Sequence, residues 1–586
     1  MAQPDWDLTV LYRGFDDPFW RADCAAAKVA AREALSCIKD LSPGDFDAAL
    51  ALQKIEASLL LHARTATYAR MVQMADGARA DALDALATLD QAGADNAAAV
   101  SVFARLVQKS GRADALAAEP ALLNYAAFFR LQAEAARHAL PEAVEPIVLR
   151  MQQTGGQGWS RLRDAMESGM TAAVTLGGAT KTLPIAQVRA LFSDADADVR
   201  KNCLAADMDA GCRAGTVYAA CLNGIKGEAL EMAQLRGYDS VLDWMLSLSR
   251  MEKKTLDALQ AAILGALPAF QRFLKAKARL LGHETALPYC DISAPVGHTA
   301  RFTLSEARRF LVDAFYGADP ALAAFTDAAF ENNWIDAIPR AGKQSGGICF
   351  PLHAAHESRI LVNFDGGFSG VASLAHELGH AWHDRQMFSL PLILRDAPTP
   401  VCETASAFNE TLVYEYARAK ATGSARLSHL NAVLSGAVQT ILDTHSRFLF
   451  EDEVFRRRAD GPLTADALAS IMENCQRAVY GDALSALHPY MWIDKVHAYI
   501  PDFHYYNFPY AFGLLFARGL YRAYKQAPGV FFARYNRLLA QACTCSVEEA
   551  GLNMGLDLTD EAFWRGALSD FIDLAEEFER LSFEEE

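Results

Sequence analysis

The chain has 586 residues, of which 52% are hydrophobic and 22% are charged, a composition that indicates a folded globular protein. Its 55 basic and 72 acidic residues give a formal net charge of −17, which disfavours nucleic acid and anionic membranes as partners, since both bind concentrated positive charge. No apolar stretch approaches the roughly 20 residues of a membrane span. The amino terminus carries acidic residues where a signal peptide needs a basic region followed by an apolar core. The 11 cysteines are scattered along the chain. From both observations we expect a soluble cytoplasmic protein.

The first part of the chain is predicted to be helical. Residues 24–110 and 118–170 are rich in Ala, Leu and charged residues, and their apolar residues recur at the three- and four-residue spacing of amphipathic helices. Two short β-compatible runs follow around a glycine turn within residues 172–183. We place a domain boundary near residue 195, which divides the chain into an amino-terminal helical domain (1–195) and a second domain (196–586).

The second domain is expected to be helical apart from one region. Helical patterns cover residues 195–283, and non-helical stretches follow near 285–300 and at 338–370. Within the last stretch, Gly347–Leu352 and Arg359–Phe364 have the composition of two strands that form a small hairpin or edge pair. The pattern then returns to helix until the end of the chain. The predicted fold class is therefore mainly α, with one small β-sheet.

The segment HELGH at residues 376–380 is typical of a metal site. On a helix, His376 and His380 lie one turn apart on the same face and can bind one ion, while Glu377 can reach a water on it. The flanking residues are apolar on nearly all sides, so we expect a buried helix, in which such polar groups are costly unless paired or bound to a cation. Neutral imidazoles suit zinc. The alternative is two core histidines that hydrogen-bond to carbonyl groups.

A second predicted helix supplies a third zinc ligand. It begins near Thr399 and Pro400, and its first turn carries Glu403, far enough after His380 for the helix to turn back against the first. The alternative for Glu403 is an acid favoured by the helix dipole. Glu410, two turns further on, either supports a ligand from behind or lies exposed on the surface.

HELGHAWH followed by VCETASAFNE resembles the zinc metallopeptidases of the oligoendopeptidase F and thimet oligopeptidase family, in particular the oligoendopeptidase F branch. Further similar segments are WDLTVLY, LNYAAFFRLQAEAARHALPEAVEPIV with TGGQGW, GGICF, RILVNFDGGFSGVASLAHELGH and HAYIPDFHYYNFPYAFG. The resemblance implies a large helical metallopeptidase fold split by a deep substrate channel, which the amino-terminal domain covers. It also implies one Zn²⁺ per chain and short unstructured peptides as substrates.

The resemblance assigns roles to individual residues. The zinc ligands of the family correspond to His376, His380 and Glu403, and its general base corresponds to Glu377. A downstream His and Tyr pair of the family stabilises the tetrahedral intermediate and positions the substrate. The candidates for catalysis in the segment HAYIPDFHYYNFPYAFG are His497, Tyr506 and Tyr510.

Other residues are expected to bind the substrate. Tyr505 and His504 are the candidates in the same segment. Arg359 belongs to a strand that resembles the family's substrate-facing edge strand, where a peptide adds by main-chain hydrogen bonds. Gly347 is the first residue of the partner run, in the GGICF motif.

The predicted function is a zinc-dependent oligoendopeptidase that hydrolyses internal bonds of short peptides, with Glu377 activating a zinc-bound water. The first alternative is a zinc carboxypeptidase with a similar channel. The second is a catalytically silent helical peptide-binding module, against which the intact Glu377 argues, because a pure binder needs no carboxylate beside the metal. A non-peptide zinc hydrolase is a weaker third option. The oligomeric state is left open.

Overall fold

The computed structural model of the protein describes residues 6–141, 143–297 and 301–584, and these residues are mainly helical, as predicted. Within those ranges, no helix combines the length and the apolar character needed to cross a bilayer. The helices of the amino-terminal part are α1 (Pro18–Lys39), α2 (Ala48–Ala75), α3 (Ala80–Ser110), α4 (Ala113–Ala118), α5 (Ala126–Ala136), α6 (Glu145–Thr154), α7 (Gly156–Gly169) and α8 (Ile185–Ala190).

Helices continue through the remainder of the chain. They are α9 (Ala197–Leu235), α10 (Val241–Leu248), α11 (Lys253–Leu280), α12 (Leu304–Tyr316), α13 (Pro320–Glu331), α14 (Phe368–Met387), α15 (Thr399–Cys402), α16 (Thr404–Lys420), α17 (Gly423–Ala437), α18 (Thr444–Arg458), α19 (Ala465–Tyr480), α20 (Met491–Asp494), α21 (Phe508–Gln526), α22 (Pro528–Gln541), α23 (Val547–Asn553) and α24 (Glu561–Glu584). A π-helical turn, Val438–Asp443, joins α17 to α18. The division of the chain into two domains at residue 195 stays a prediction.

The strands form small sheets, and the sequence analysis predicts only one of these sheets. The β-compatible runs near residue 175 pair as the antiparallel hairpin of β1 (Thr171–Leu176) and β2 (Ala179–Pro184). The short strands β3 (Leu287–Pro288) and β7 (Leu484–Ala486) pair in parallel. The predicted sheet contains β4 (Ile335–Asp336), β5 (Ile348–Leu352) and β6 (Glu357–Leu361).

The order β4–β6–β5 corrects the prediction for the edge strand. Strand β6, which contains Arg359, is paired on both sides, antiparallel to β5 and parallel to β4. It therefore cannot be the edge to which a peptide adds. The edge is β5, whose other side pairs with no strand of the described chain. Strand β4 has only two residues, too few to produce a recognisable pattern in the sequence.

The amino-terminal segment packs on this sheet. The rings of Trp6 and Phe350 lie 6.2 Å apart in an edge-on contact, and the Asp7 carbonyl accepts a 2.6 Å hydrogen bond from Arg359 Nε. A cluster of buried residues from α1, α2 and α3 continues this contact over β5 and β6. One face of the sheet is thereby covered, and α14 packs on the sheet as well.

Helix α14 is buried on nearly all sides, as its apolar flanks predict. Val371, Leu374, Leu378 and Trp382 all lie in the main hydrophobic core, together with residues of α11, α16, α21 and α24. Burial of each such side chain contributes roughly 1.5–3 kcal/mol. The helix that carries the HELGH motif is thus fixed by packing along its whole length.

Candidate active site

Two helices bring the three predicted metal ligands together. His376 and His380 lie on α14, and Glu403 lies at the junction between α15 and α16, where the predicted single helix is interrupted. The Nε2 atoms of the two histidines are 3.1 Å apart. Glu403 Oε2 lies 3.3 Å from His376 Nε2 and 3.4 Å from His380 Nε2. The three ligand atoms therefore point at one location.

These residues fit a zinc ion. In a tetrahedral site with ligands about 2.0–2.2 Å from the metal, neighbouring ligand atoms lie roughly 3.3–3.6 Å apart. The three separations in the protein are close to this edge length. Two imidazoles and one carboxylate are also a donor set that catalytic zinc sites use, with the fourth position left open.

Charge at the site also favours a cation. Burial lowers the pKa of His376, but hydrogen bonds to Glu403 and Glu410 overcome this and raise it to about 10. Burial raises the pKa of Glu403, yet its contacts with His376 and His380 hold that pKa well below the usual range. The carboxylates therefore keep a positive charge beside them, which either protons or a metal ion can supply.

Glu410 supports His376 from behind. Its Oε1 lies 2.6 Å from His376 Nδ1, so this acid does not lie exposed on the surface. A carboxylate that accepts the Nδ1–H of a ligating histidine fixes the ring orientation and the tautomer, which leaves Nε2 free for the metal.

Glu377 is 6% exposed and lies against Gly347. A Cβ atom at residue 347 would lie only 2.4 Å from Glu377 Oε1, so only glycine leaves room for this carboxylate. Burial raises the pKa of Glu377, although His376 and His380 act in the opposite direction. Because Gly347 immediately precedes β5, the carboxylate stands beside the edge strand of the sheet.

Gly379 allows α14 and α16 to touch. A Cβ atom there would lie 2.5 Å from the Ala405 carbonyl oxygen and 2.6 Å from Ser406 Cα. These are backbone atoms, which cannot move aside as a flexible side chain can. The contact places Glu403 within reach of both histidines, and it gives a reason for a glycine inside a buried helix.

Three of the predicted residues form an aromatic group beside this site. The Tyr510 hydroxyl and His497 Nε2 are 3.1 Å apart, and the His497 ring stacks on Tyr506 at 5.2 Å. Burial, followed by the charges of Tyr506 and Glu403, raises the pKa of Tyr510, so its hydroxyl stays protonated. One turn further along α21, Gly513 lies close to Glu403: a Cβ atom there would be 3.0 Å from Glu403 Cβ.

The structure contradicts three predicted substrate contacts. The His504 ring is fully buried between Trp244 and Phe455. Tyr505 is 2% exposed, and its hydroxyl donates to Asp452. Arg359 is equally buried and donates to the Asp7 carbonyl and to Glu357. All three side chains are engaged in the interior, so they are not available to bind a peptide.

A buried ion pair that the sequence analysis missed fixes the chain before α21. Lys226 Nζ lies 2.5 Å from Glu451 Oε1. Glu451 in turn accepts hydrogen bonds from the Tyr505 amide and the Asn507 side chain. These contacts hold the turn from which Tyr506 and Tyr510 extend. Nothing in the sequence reveals the pair, because its members are 225 residues apart.

Comparisons with known proteins point to one family. Residues 320–569 match the model described as Peptidase family M3. An oligoendopeptidase F homologue from Lactococcus lactis is 27% identical over 366 residues, 60% of this chain and 58% of that protein. Oligopeptidase PepF from Bacillus subtilis is 25% identical over 334 residues, 55% of this chain and 48% of that protein. The alignments thus span about half the length of these relatives.

Solved structures share the fold over nearly the whole chain. The oligoendopeptidase F structure from Enterococcus faecium has a TM-score of 0.70 and 18% identity, with 97% of this chain and 100% of that chain covered. A structure from Chlamydophila abortus reaches a TM-score of 0.86 at 18% identity, with 99% and 98% covered. At this level of identity the likeness concerns the fold alone.

Proposed function

We propose that the chain is a member of peptidase family M3, whose model matches residues 320–569, and that it is a zinc-dependent oligoendopeptidase that hydrolyses internal bonds of short, unstructured peptides. The observation that carries the proposal is the convergence of His376, His380 and Glu403, with Glu377 on the adjoining turn of α14. The relatives named oligoendopeptidase F support peptides as the substrate class. One zinc ion would bind per chain.

Each residue around the site can have its own role in the reaction. A zinc ion held by these three ligands would act as a Lewis acid on water and on the peptide carbonyl. Glu377 accepts a proton from the attacking water and delivers it to the leaving amine. Burial raises the pKa of this carboxyl, which makes its carboxylate the stronger base. Glu410 keeps His376 oriented throughout.

We propose that the peptide lies along the free edge of β5. An extended peptide that adds to a sheet edge forms main-chain hydrogen bonds independently of its sequence. Gly347, directly before this strand, lies against Glu377. A peptide bound along this edge would therefore pass the general base.

Tyr510 is proposed to donate a hydrogen bond from its hydroxyl to the oxyanion that develops on the oxygen of the attacked carbonyl group. Tyr510→Phe is expected to lower kcat by about 100- to 1,000-fold with little change in KM, the cost of losing one preorganised donor. Steady-state kinetics on one peptide measures the effect. The exposed Tyr316 offers the matched control Tyr316→Phe, and equal kcat values for both variants would refute the role of Tyr510.

The proposed function is tested with an unstructured peptide of about ten residues. Mass spectrometry of the products is expected to show an internal cut that a chelator abolishes and added zinc restores. Stepwise loss of single residues from the carboxyl terminus would identify a zinc carboxypeptidase instead. Bound zinc without cleavage of several peptides would indicate a peptide-binding module or a non-peptide substrate.

A further inference from the structure

Asp384 joins the helix of the metal ligands to the strand pair on which the peptide is proposed to bind. It lies on α14, one turn after His380. Its Oδ2 accepts a 2.9 Å hydrogen bond from the Ser358 hydroxyl of β6 and a 3.5 Å hydrogen bond from the Cys349 thiol of β5. One carboxylate oxygen therefore contacts both strands of the hairpin.

Helix α14 and strand β5 meet at two separate places. Glu377 and Asp384 are seven residues apart, so they lie on one face of the helix about 10 Å apart along its axis. Glu377 lies against Gly347, and Asp384 contacts Cys349, two residues further along the chain. Two contacts fix both the position and the direction of the strand relative to the helix, whereas a single contact would leave the strand free to turn.

Apolar packing alone would define this position less sharply. Phe350, Leu352 and Leu361 face the amino-terminal helices, and Ile360 faces the core around α14. Such contacts are non-directional and tolerate small shifts. Hydrogen bonds to a carboxylate need a defined distance and angle. Asp384 is therefore the contact that sets where β5 lies along α14.

The surroundings of Asp384 make these hydrogen bonds necessary. Burial raises the pKa of its carboxyl to about 6, while the Ser358 hydroxyl acts in the opposite direction. The two side chains that donate to it are uncharged. A carboxylate in this setting that lost its donors would carry the full cost of its desolvation. Movement of the hairpin away from α14 is consequently unfavourable.

The turn of the same hairpin is tied to the segment after α14. Arg395 Nη1 lies 3.0 Å from His353 Nδ1, and the His356 ring stacks on Phe388 at 5.3 Å. These contacts hold the end of the hairpin that is far from Gly347. The hairpin is thus held to α14 and its carboxyl-terminal extension from the turn to the start of β5.

We propose that Asp384 is a positioning residue for the hydrolysis: it fixes β5 along α14, so that a peptide paired with the strand places the bond to be cut beside Glu377. The inference rests on the proposed peptidase function and on peptide binding along β5. A slip of one residue would move the peptide by about 3.3 Å, and a misplacement of about 1 Å can already lower a rate by about 100-fold. Asp384 acts through the strand and touches no reacting atom.

The first test compares the zinc-loaded wild-type protein, Asp384→Ala and Asp384→Asn on one unstructured ten-residue peptide. Asp384→Ala should lower kcat by about 10- to 100-fold with little change in KM, because the peptide still pairs with a strand that is no longer fixed. Mass spectrometry should also show new cuts at neighbouring bonds. Asp384→Asn keeps an oxygen that can accept from both donors, so its kcat should stay within about threefold of wild type. Asp257→Ala is the control, since Asp257 is exposed on α11.

The second test asks whether Asp384 acts through the hairpin. Ser358→Ala removes a donor on β6 and leaves α14 untouched; it should lower kcat by about 3- to 10-fold. The double variant Ser358→Ala, Asp384→Ala should be no more than about twofold below Asp384→Ala, because both changes remove the same contact. Zinc affinity, measured against a chelator, should be the same in all variants.

The outcomes separate this inference from the function on which it rests. A wild-type kcat and a single cut in Asp384→Ala would overturn the inference and leave the peptidase proposal standing. Loss of zinc in that variant, or losses that multiply in the double variant, would also overturn it, because Asp384 would then act apart from the strand. Failure of the loaded wild-type protein to cleave any peptide would overturn both proposals. If Asp384→Ala does not fold, full activity and an unchanged cut in Ser358→Ala would overturn the inference.

Discussion

Glu377→Gln is expected to lower kcat by about 100- to 10,000-fold, because a glutamine amide cannot accept the proton of the attacking water. The substitution preserves the size of the side chain, so the close contact with Gly347 and the packing of α14 remain. Zinc content, thermal unfolding and peptide hydrolysis would be measured on the same preparation. We expect only the hydrolysis to change.

A surface substitution of the same kind provides the control. Glu473 is half-exposed on α19, where it pairs with Arg477, and Glu473→Gln should retain full activity. If Glu377→Gln turned peptides over at a wild-type rate, Glu377 would not be the base. If instead the variant lost its zinc, the effect on activity would not be informative about proton transfer.

Glu403→Ala is expected to weaken zinc binding by more than about 100-fold. The reason is that loss of a residue that only supports a ligand already costs 10- to 100-fold, and Glu403 would be a direct ligand. Competition with a chelator of known affinity would measure the dissociation constant. Far-ultraviolet circular dichroism would confirm that the helices persist.

Glu410→Ala is the comparison for this experiment. Since Glu410 contacts only Nδ1 of His376, its removal should weaken zinc binding less than removal of Glu403 does. An unchanged affinity in Glu403→Ala, or the reverse order of the two variants, would rule out Glu403 as the third ligand.

The sequence predicts that His376 and His380 lie together because their spacing along one helix is local. Helical periodicity alone places His376 and His380 on one face, and the structure brings their Nε2 atoms together. Glu403 follows from the position of the next helix. The sequence does not decide whether Glu410 supports a ligand or lies exposed on the surface. The distance between the two helices determines whether its side chain reaches His376.

In the segment before α21, the sequence does not predict which side chains face a cavity beside the active site and which are buried. Local pattern cannot distinguish His497, which borders the cavity, from His504, which is buried beside Lys226. Tyr505 adopts a φ of 52°, a left-handed conformation that is uncommon for a non-glycine residue and reverses the chain locally. The side chains on either side of this turn consequently point to different environments.

Contacts between distant parts of the chain could not be predicted from the sequence either. The pairing of Ile335 with Ile360, which makes β6 a central strand, depends on two residues of β4. The cavity beside the active site is lined by residues as distant as Arg189 and Tyr510. The residue pattern within one segment cannot predict contacts with a segment that is distant in the sequence.

The contact at Gly379 limits how the protein can move. Because the backbones of α14 and α16 touch there with no side chain between them, sliding one helix along the other would drive atoms into overlap. Any opening of the substrate site must therefore carry the two helices as a single rigid body, with the hinge outside this pair. His376, His380 and Glu403 would then keep their spacing during any such movement.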